Sequence, residues 1–362
     1  MALQAATIET KDSLEAIELF YRNGWTDGLP IIPPTQDRIQ AMLDIVQMEP
    51  DAVIGAIPER SRVFTAETAA INAVMAGCLP EYFPVVVAAV SASSDPAFGL
   101  HGPTATTHGS AILMIVNGPI IESIGLNSGQ NVFGPGNRAN ATIGRALRLI
   151  LINAGGIREF DRATLGHPGK YTYCIAENEN TDWQPLHVQR GFERSVSTVT
   201  VFAAESPNQV NNHTALKAEN ILLTLSDRMS GLGTFNIGGQ TEMTVVICPE
   251  HYKTLNQQGW DKARVQKFLY EHAVRPLSDL KKGGYIEQPV NSGDEEILVR
   301  AVQSPDDILL VVAGGAAGRF SACIPGWASK KACPARPTPC SRWSGGLTCA
   351  NRLLKQAFII IM

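Results

Sequence analysis

Apolar residues along this chain follow two patterns in turn, a spacing of three to four residues and short unbroken runs, which predict helices and buried strands respectively. Leu14, Ile17, Leu19 and Phe20 form one helical face after Ser13, and Asn23-Gly24 closes it as a helix C-cap would. Thr35 can cap a second helix, "QDRIQAMLDIV". Between them "WTDGLPIIPPT" turns at Asp27-Gly28 and is held extended by Pro30, Pro33 and Pro34, which fixes Trp25 and Asp27 in place. "TAETAAINAVMAGCLPEYFPVVVAAVSAS" predicts two helices broken between Gly77 and Pro80. "HGSAILMIVNGP" is a buried strand that Gly118-Pro119 ends, and "ATIGRALRLILINA" is a helix that Asn140 or Thr142 can cap. "KYTYCIA", "STVTVFAAE", "EMTVVICPEH" and "DDILLVVAGGAAGRF" are further strands. "HTALKAENILLTLSDRMS" and "WDKARVQKFLYEHA" are helices among them.

Strands alternating with helices predict an α/β fold, or α+β, with a mixed sheet built from strand-helix units. "ILMIVNGPIIESIGLNSG" and "TVVICPEHYKTLNQQGWD" share an order of strand, small residue, proline, short helix, leucine and glycine, the pattern of two related halves. The expected organisation is an N-terminal helical segment with its Pro-rich loop at 1–50 and an α/β core at 51–330. The two halves of that core would divide near 195–210.

The tail from residue 331 to 362 reads differently: five Lys/Arg, no Asp/Glu, and three of the seven cysteines, Cys333, Cys340 and Cys349. Their spacing has no close CxxC pair and no histidine, a poor zinc pattern. The tail is therefore expected to be disordered or the product of a slipped reading frame near Ala328–Lys331, and it is set aside from functional argument. The net charge of −4 becomes more acidic without it, since residues 1–330 carry 25 basic against 34 acidic side chains. An acidic body offers no field for nucleic acid. No apolar run reaches the roughly 18 residues of a membrane span, and no secretory signal opens the chain, so a cytoplasmic protein without membrane contact is expected. The four scattered cysteines of the body suit reduced thiols. A homo-oligomer is expected on general grounds.

Chemistry gathers in four places. In "NVFGPGNRANATIGRALRL", Gly134, Gly136, Asn137 and Asn140 build a turn at a helix start, where unpaired N–H groups attract anions, and Arg138 sits at the mouth to clamp one. Arg145 and Arg148 follow on the same helix, and Asp27 in its rigid loop is a further binding candidate. In "GHPGKYTYCIAENEN", Glu177 and Glu179 leave a strand end on one side, as acid/base work requires, and Lys170 could stabilise developing negative charge. His101 and His108 flank a polar loop; His101 is a second proton carrier, and a metal reading of the two is weak. Cys78 precedes Leu-Pro at a helix break, where a following helix N-terminus would lower its pKa. No metal ligands and no particular cofactor are assigned.

The segments "GWTDGLPIIPPT", "AGCLPEYFPVVVAAV", "NSGQNVFGPGNRANATIGRALRLIL", "LGHPGKYTYCIAENE" and "VVAGGAAGRFSACIPGW" resemble a bacterial family accompanying the UGSC/CGSC proteins, which are named for a Sec/Cys-Gly-Ser-Cys motif. The resemblance spans about residues 12–327. The tetrad itself is absent here, so the resemblance implies a component that works beside a redox-active partner. The expected function is an enzyme acting on a small anionic metabolite by lyase-type, thiol-dependent or reductive chemistry. The alternative is a non-catalytic subunit partnering a redox-active (seleno)protein.

Overall fold

The computed structural model describes residues 3–159, 161–239 and 241–327, with residues 341–342 and 360–361. The expectations for the tail, whether zinc, disorder or a slipped frame, lie outside the described residues. Helix and strand alternate in mixed sheets, an α/β fold. Among the described residues no helix is long and apolar enough to cross a membrane.

Helices α1 (Ser13–Arg22), α2 (Gln36–Val46), α3 (Ala66–Ala76) and α4 (Phe83–Ser93), with a two-stranded hairpin of Val53–Ile57 and Arg62–Thr65 between α2 and α3, precede the first of two main sheets. Asp12 caps α1 through its carboxylate, and α3 ends at Gly77 in the left-handed conformation, as a glycine C-cap does. The first sheet is centred on β1 (Ala111–Asn117). Helix α5 (Arg138–Asn153) crosses over to β2 (Cys174–Ala176), which pairs parallel to β1. The short helix α6 (Leu186–Gln189) leads to β3 (Thr198–Ala204), antiparallel on the other side of β1.

Between Ala204 and Asn208 the chain passes to a second sheet, of β4 (Asn208–Asn211), β5 (Met243–Ile247), β6 (Ile308–Val312) and β7 (Phe320–Pro325). Helices α7 (Ala218–Met229), α8 (Pro249–Gln257) and α9 (Lys262–His272) belong to it. β6 pairs parallel with β5 on one side, and β7 pairs antiparallel with β5 on the other. The arrangement of β2, β1 and β3 is thus repeated by β6, β5 and β7, and each central strand runs into a proline and a short helix, Pro119 after β1 and Pro249 after β5.

The two sheets pack face to face. Leu113 and Ile115 of β1, Phe202 of β3, Val246 of β5, Leu309 and Val311 of β6 and Ile324 of β7 form one buried layer. The alternate residues face outward to helices: Met114 and Val116 toward α3, α4 and α5, Val245 and Leu310 toward α7 and α9. Both sheets are covered on both faces, which explains why their strands read as continuous apolar runs. The sheets are stitched at their ends, where Asn178 N donates to Val312 O at 2.7 Å and Ala204 bridges Gly326.

Candidate functional site

β1 and β2 end side by side, with Val116 opposite Ala176. Each strand then presents a polar residue toward the layer between the sheets. The period of two puts Asn117 on the side of Leu113 and Ile115, and Glu177 on the side of Tyr173 and Ile175. Asn117 Nδ2 donates to Glu177 Oε2 at 2.7 Å and to Glu179 Oε1 at 2.8 Å. Two carboxylate acceptors force the orientation of the amide, so Oδ1 remains an acceptor, buried and without a hydrogen bond. Gly118 N adds a 2.7 Å bond to Glu179 Oε1. Gly118 has φ +89°, and a Cβ there would meet Val196 O at 2.5 Å, so no other residue lets the backbone approach this closely.

Glu177 is fully engaged. Lys262 Nζ, from the first residue of α9, donates to Oε1 at 2.8 Å, and Leu186 N donates to Oε2 at 2.7 Å. Both side chains of this ion pair are 3% exposed. Glu179 differs: its side chain is 19% exposed, and it is where solvent reaches the group. His187 of α6 is wholly buried, with Nδ1 3.6 Å from Glu179 Oε1, outside hydrogen-bond range, and neither ring nitrogen has a partner. Thr198 lies opposite Asn117 across the β1–β3 pair, on the same face, and its buried hydroxyl is also unpartnered. Asn117, His187 and Thr198 thus bring unpartnered buried polar atoms to the strand ends that carry Glu179, which makes this the candidate site.

Two of the sequence candidates, Glu177 and Glu179, are joined here through one asparagine. The others are placed elsewhere. His101 Nδ1 accepts from Arg60 Nε at 3.2 Å, and His108 Nε2 lies 3.1 Å from Glu205 Oε1. Among the described residues no group of three or more His, Cys, Asp and Glu is placed to hold a metal ion. Lys170 and Arg148 both bond Asp161, at 2.9 and 2.7 Å. Asp27 pairs bidentately with Arg145, both contacts 2.8 Å.

At the helix mouth the cap is Asn137, which accepts from Asn140 N at 3.0 Å, in place of the expected Asn140 or Thr142. Asn140 turns inward, accepting from Asn127 N and donating to Asn127 O and Cys174 O. The loop around Gly134 and Gly136 closes on itself through Asn131 Nδ2 and Pro135 O at 2.8 Å, with Gly136 at φ +121°. Arg138 is turned to the Gly77 carbonyl, with contacts of 3.0 and 2.9 Å, where it caps the end of α3. The clamp geometry expected of it is therefore a helix cap in this structure.

Cys78 requires a correction. Burial pushes its thiol up to about 12, against the opposing effects of the Thr142 hydrogen bond and the charges of Arg138 and Arg145. Desolvation of the thiolate outweighs any helix end. Cys174 is raised as well, by burial and then by its neighbour Cys78.

Asn117, His187, Thr198 and Lys262 carried no sequence signal comparable to the glutamates. Asn117 was the polar end of an apolar strand, and His187 a lone histidine in "PLHVQ". Lys262 lies 85 positions from the carboxylate it pairs with. No family model, curated protein or solved structure matches this chain.

Proposed function

We propose that the chain is an enzyme that moves a proton on a small metabolite, in lyase-type chemistry, with Glu179 and His187 as its acid–base pair. The observation that carries this reading is the buried imidazole with two unpartnered nitrogens 3.6 Å from a carboxylate that solvent reaches. A positioned acid–base pair contributes about 10²–10⁴-fold to a proton-transfer step. Its place agrees with the reading, because open α/β sheets bind their ligands beyond the carboxyl ends of the strands. Glu177, held by Lys262, is a positioning residue that fixes Asn117 and through it Glu179. The raised thiol of Cys78 gives the thiol-dependent alternative no support.

The test is proton exchange. The chain is incubated in deuterated water with a panel of small carboxylic, hydroxy and amino compounds, and loss of C–H signals is followed by NMR. Exchange on at least one compound, slowed about 10²–10⁴-fold by Glu179→Gln and by His187→Asn, is the expected result. A parent chain that exchanges nothing, or exchange that both variants retain, overturns the reading.

A further inference from the structure

The unpartnered atoms also have a chemical preference. Asn117 Oδ1 can only accept, because its Nδ2 is committed to two carboxylates. Glu179, when ionised, only accepts, and its Oε1 holds two neutral donors. The Thr198 hydroxyl can accept as well as donate. Charge points the same way. Two carboxylates, Glu177 and Glu179, face a single ammonium, Lys262, which is already bonded to Glu177. A half-buried carboxylate whose hydrogen-bond donors are all neutral is better satisfied by a cation.

The surroundings agree. Leu186, whose N–H holds Glu177, is also on the wall of a separate groove of about 490 Å³ that carries Glu242, Asp306 and Asp307 beside Arg190, so the acidic balance extends to the neighbouring surface without that groove reaching Glu179. Resting on the acid–base reading of the same residues, we infer that the site takes a small hydrogen-bonding cation, the ammonium head of a primary amine or ammonium itself. The ligand enters at the Glu179 side, donating to Glu179, Asn117 Oδ1 and Thr198 Oγ1. The substrate class this assigns is a small amine. An added carboxylate on the same molecule would make it a zwitterion and satisfy the anionic expectation as well.

The experiment is a thermal melt of the full chain at fixed ionic strength in ammonium, methylammonium, potassium or tetramethylammonium chloride, with ¹⁵N-ammonium NMR alongside. Ammonium and methylammonium should raise Tm by at least about 1 °C over the other two salts at tenfold excess over Kd. Glu179→Gln should abolish the difference, and Thr198→Val, a near-isosteric change that folds more safely, should reduce it about two- to tenfold in affinity. A bound ¹⁵N-ammonium signal that exchanges slowly with the free ion is expected for the parent and lost in Glu179→Gln. Equal Tm in all four salts overturns the inference in favour of water alone, and equal effects of potassium and ammonium overturn it in favour of a bare monovalent-cation site. Both outcomes are binding results, so they leave the proton-exchange test to decide the acid–base reading separately.

Discussion

A carboxylate is defined by what donates to it, and three acids in this chain show three results. Glu177 is saturated by Lys262, Asn117 and Leu186, whereas Glu179 has an asparagine and one backbone N–H and faces solvent. Asp161 lies between two cations. Burial alone would raise its pKa, but the hydrogen bonds from Lys170 and Arg148 outweigh it and hold the carboxyl at about 2, below its ordinary 3.8. A folded-state value below the unfolded one means stability that is present in full above about pH 5 and is lost as pH falls toward 2. With the side chain 21% exposed, screening leaves about 1–2 kcal/mol at neutral pH. Asp161→Asn should therefore unfold more easily in urea at pH 7 by that amount and match the parent near pH 2. A difference that does not shrink with acid would show that the ion pairs are not its source. The glutamate pair was legible in the sequence because two acids two apart at a strand end share a side. His187 was not, because a lone histidine between apolar neighbours looks the same whether its nitrogens are paired or free.

At the scale of elements, strands were legible and their ends less so. "KYTYCIA" predicts a seven-residue strand, yet only Cys174–Ala176 pairs. Residues 168–170 form a turn of 3₁₀ helix, and Thr172 is drawn to α5, its hydroxyl donating to Ala141 O at 2.8 Å. A tertiary hydrogen bond outweighs the local alternation there. The start of α9 shows the opposite case, in which a helix is legible but its use is not. Lys262 occupies its first turn, a place that helix electrostatics disfavours for a cation, and the side chain is buried only because it reaches Glu177. Lys262→Met would leave that carboxylate buried and uncompensated, at a cost of about 3–5 kcal/mol. Adding Glu177→Gln removes the charge itself, so the double variant should regain at least about half of the loss in urea unfolding. Losses that simply add would mean the two residues do not act as a pair.

The whole molecule is a sandwich of helices, sheet, sheet and helices, and its shared middle layer is what joins the halves. The repeated order of strand, proline and helix was visible in the sequence, and the strand pairings repeat it. The face-to-face packing was not visible. A strand buried on both sides, such as Ala111–Asn117, carries no polar alternation to show which face meets a helix and which meets another sheet. The candidate site sits where this layer ends, with Asn117 and Glu177 from the first sheet and Lys262 from a helix on the second. Its geometry therefore depends on the two halves staying docked. Leu113, fully buried in the shared layer, tests that dependence. Leu113→Ala should cost about 2–5 kcal/mol, with the loss felt by both halves together. Far-UV circular dichroism and tryptophan fluorescence, which samples Trp25 on one side and Trp183 and Trp260 on the other, should then shift to one common lower urea midpoint. Separated midpoints would show that each half holds its own fold, and a site drawn from both would then need a different origin for its rigidity.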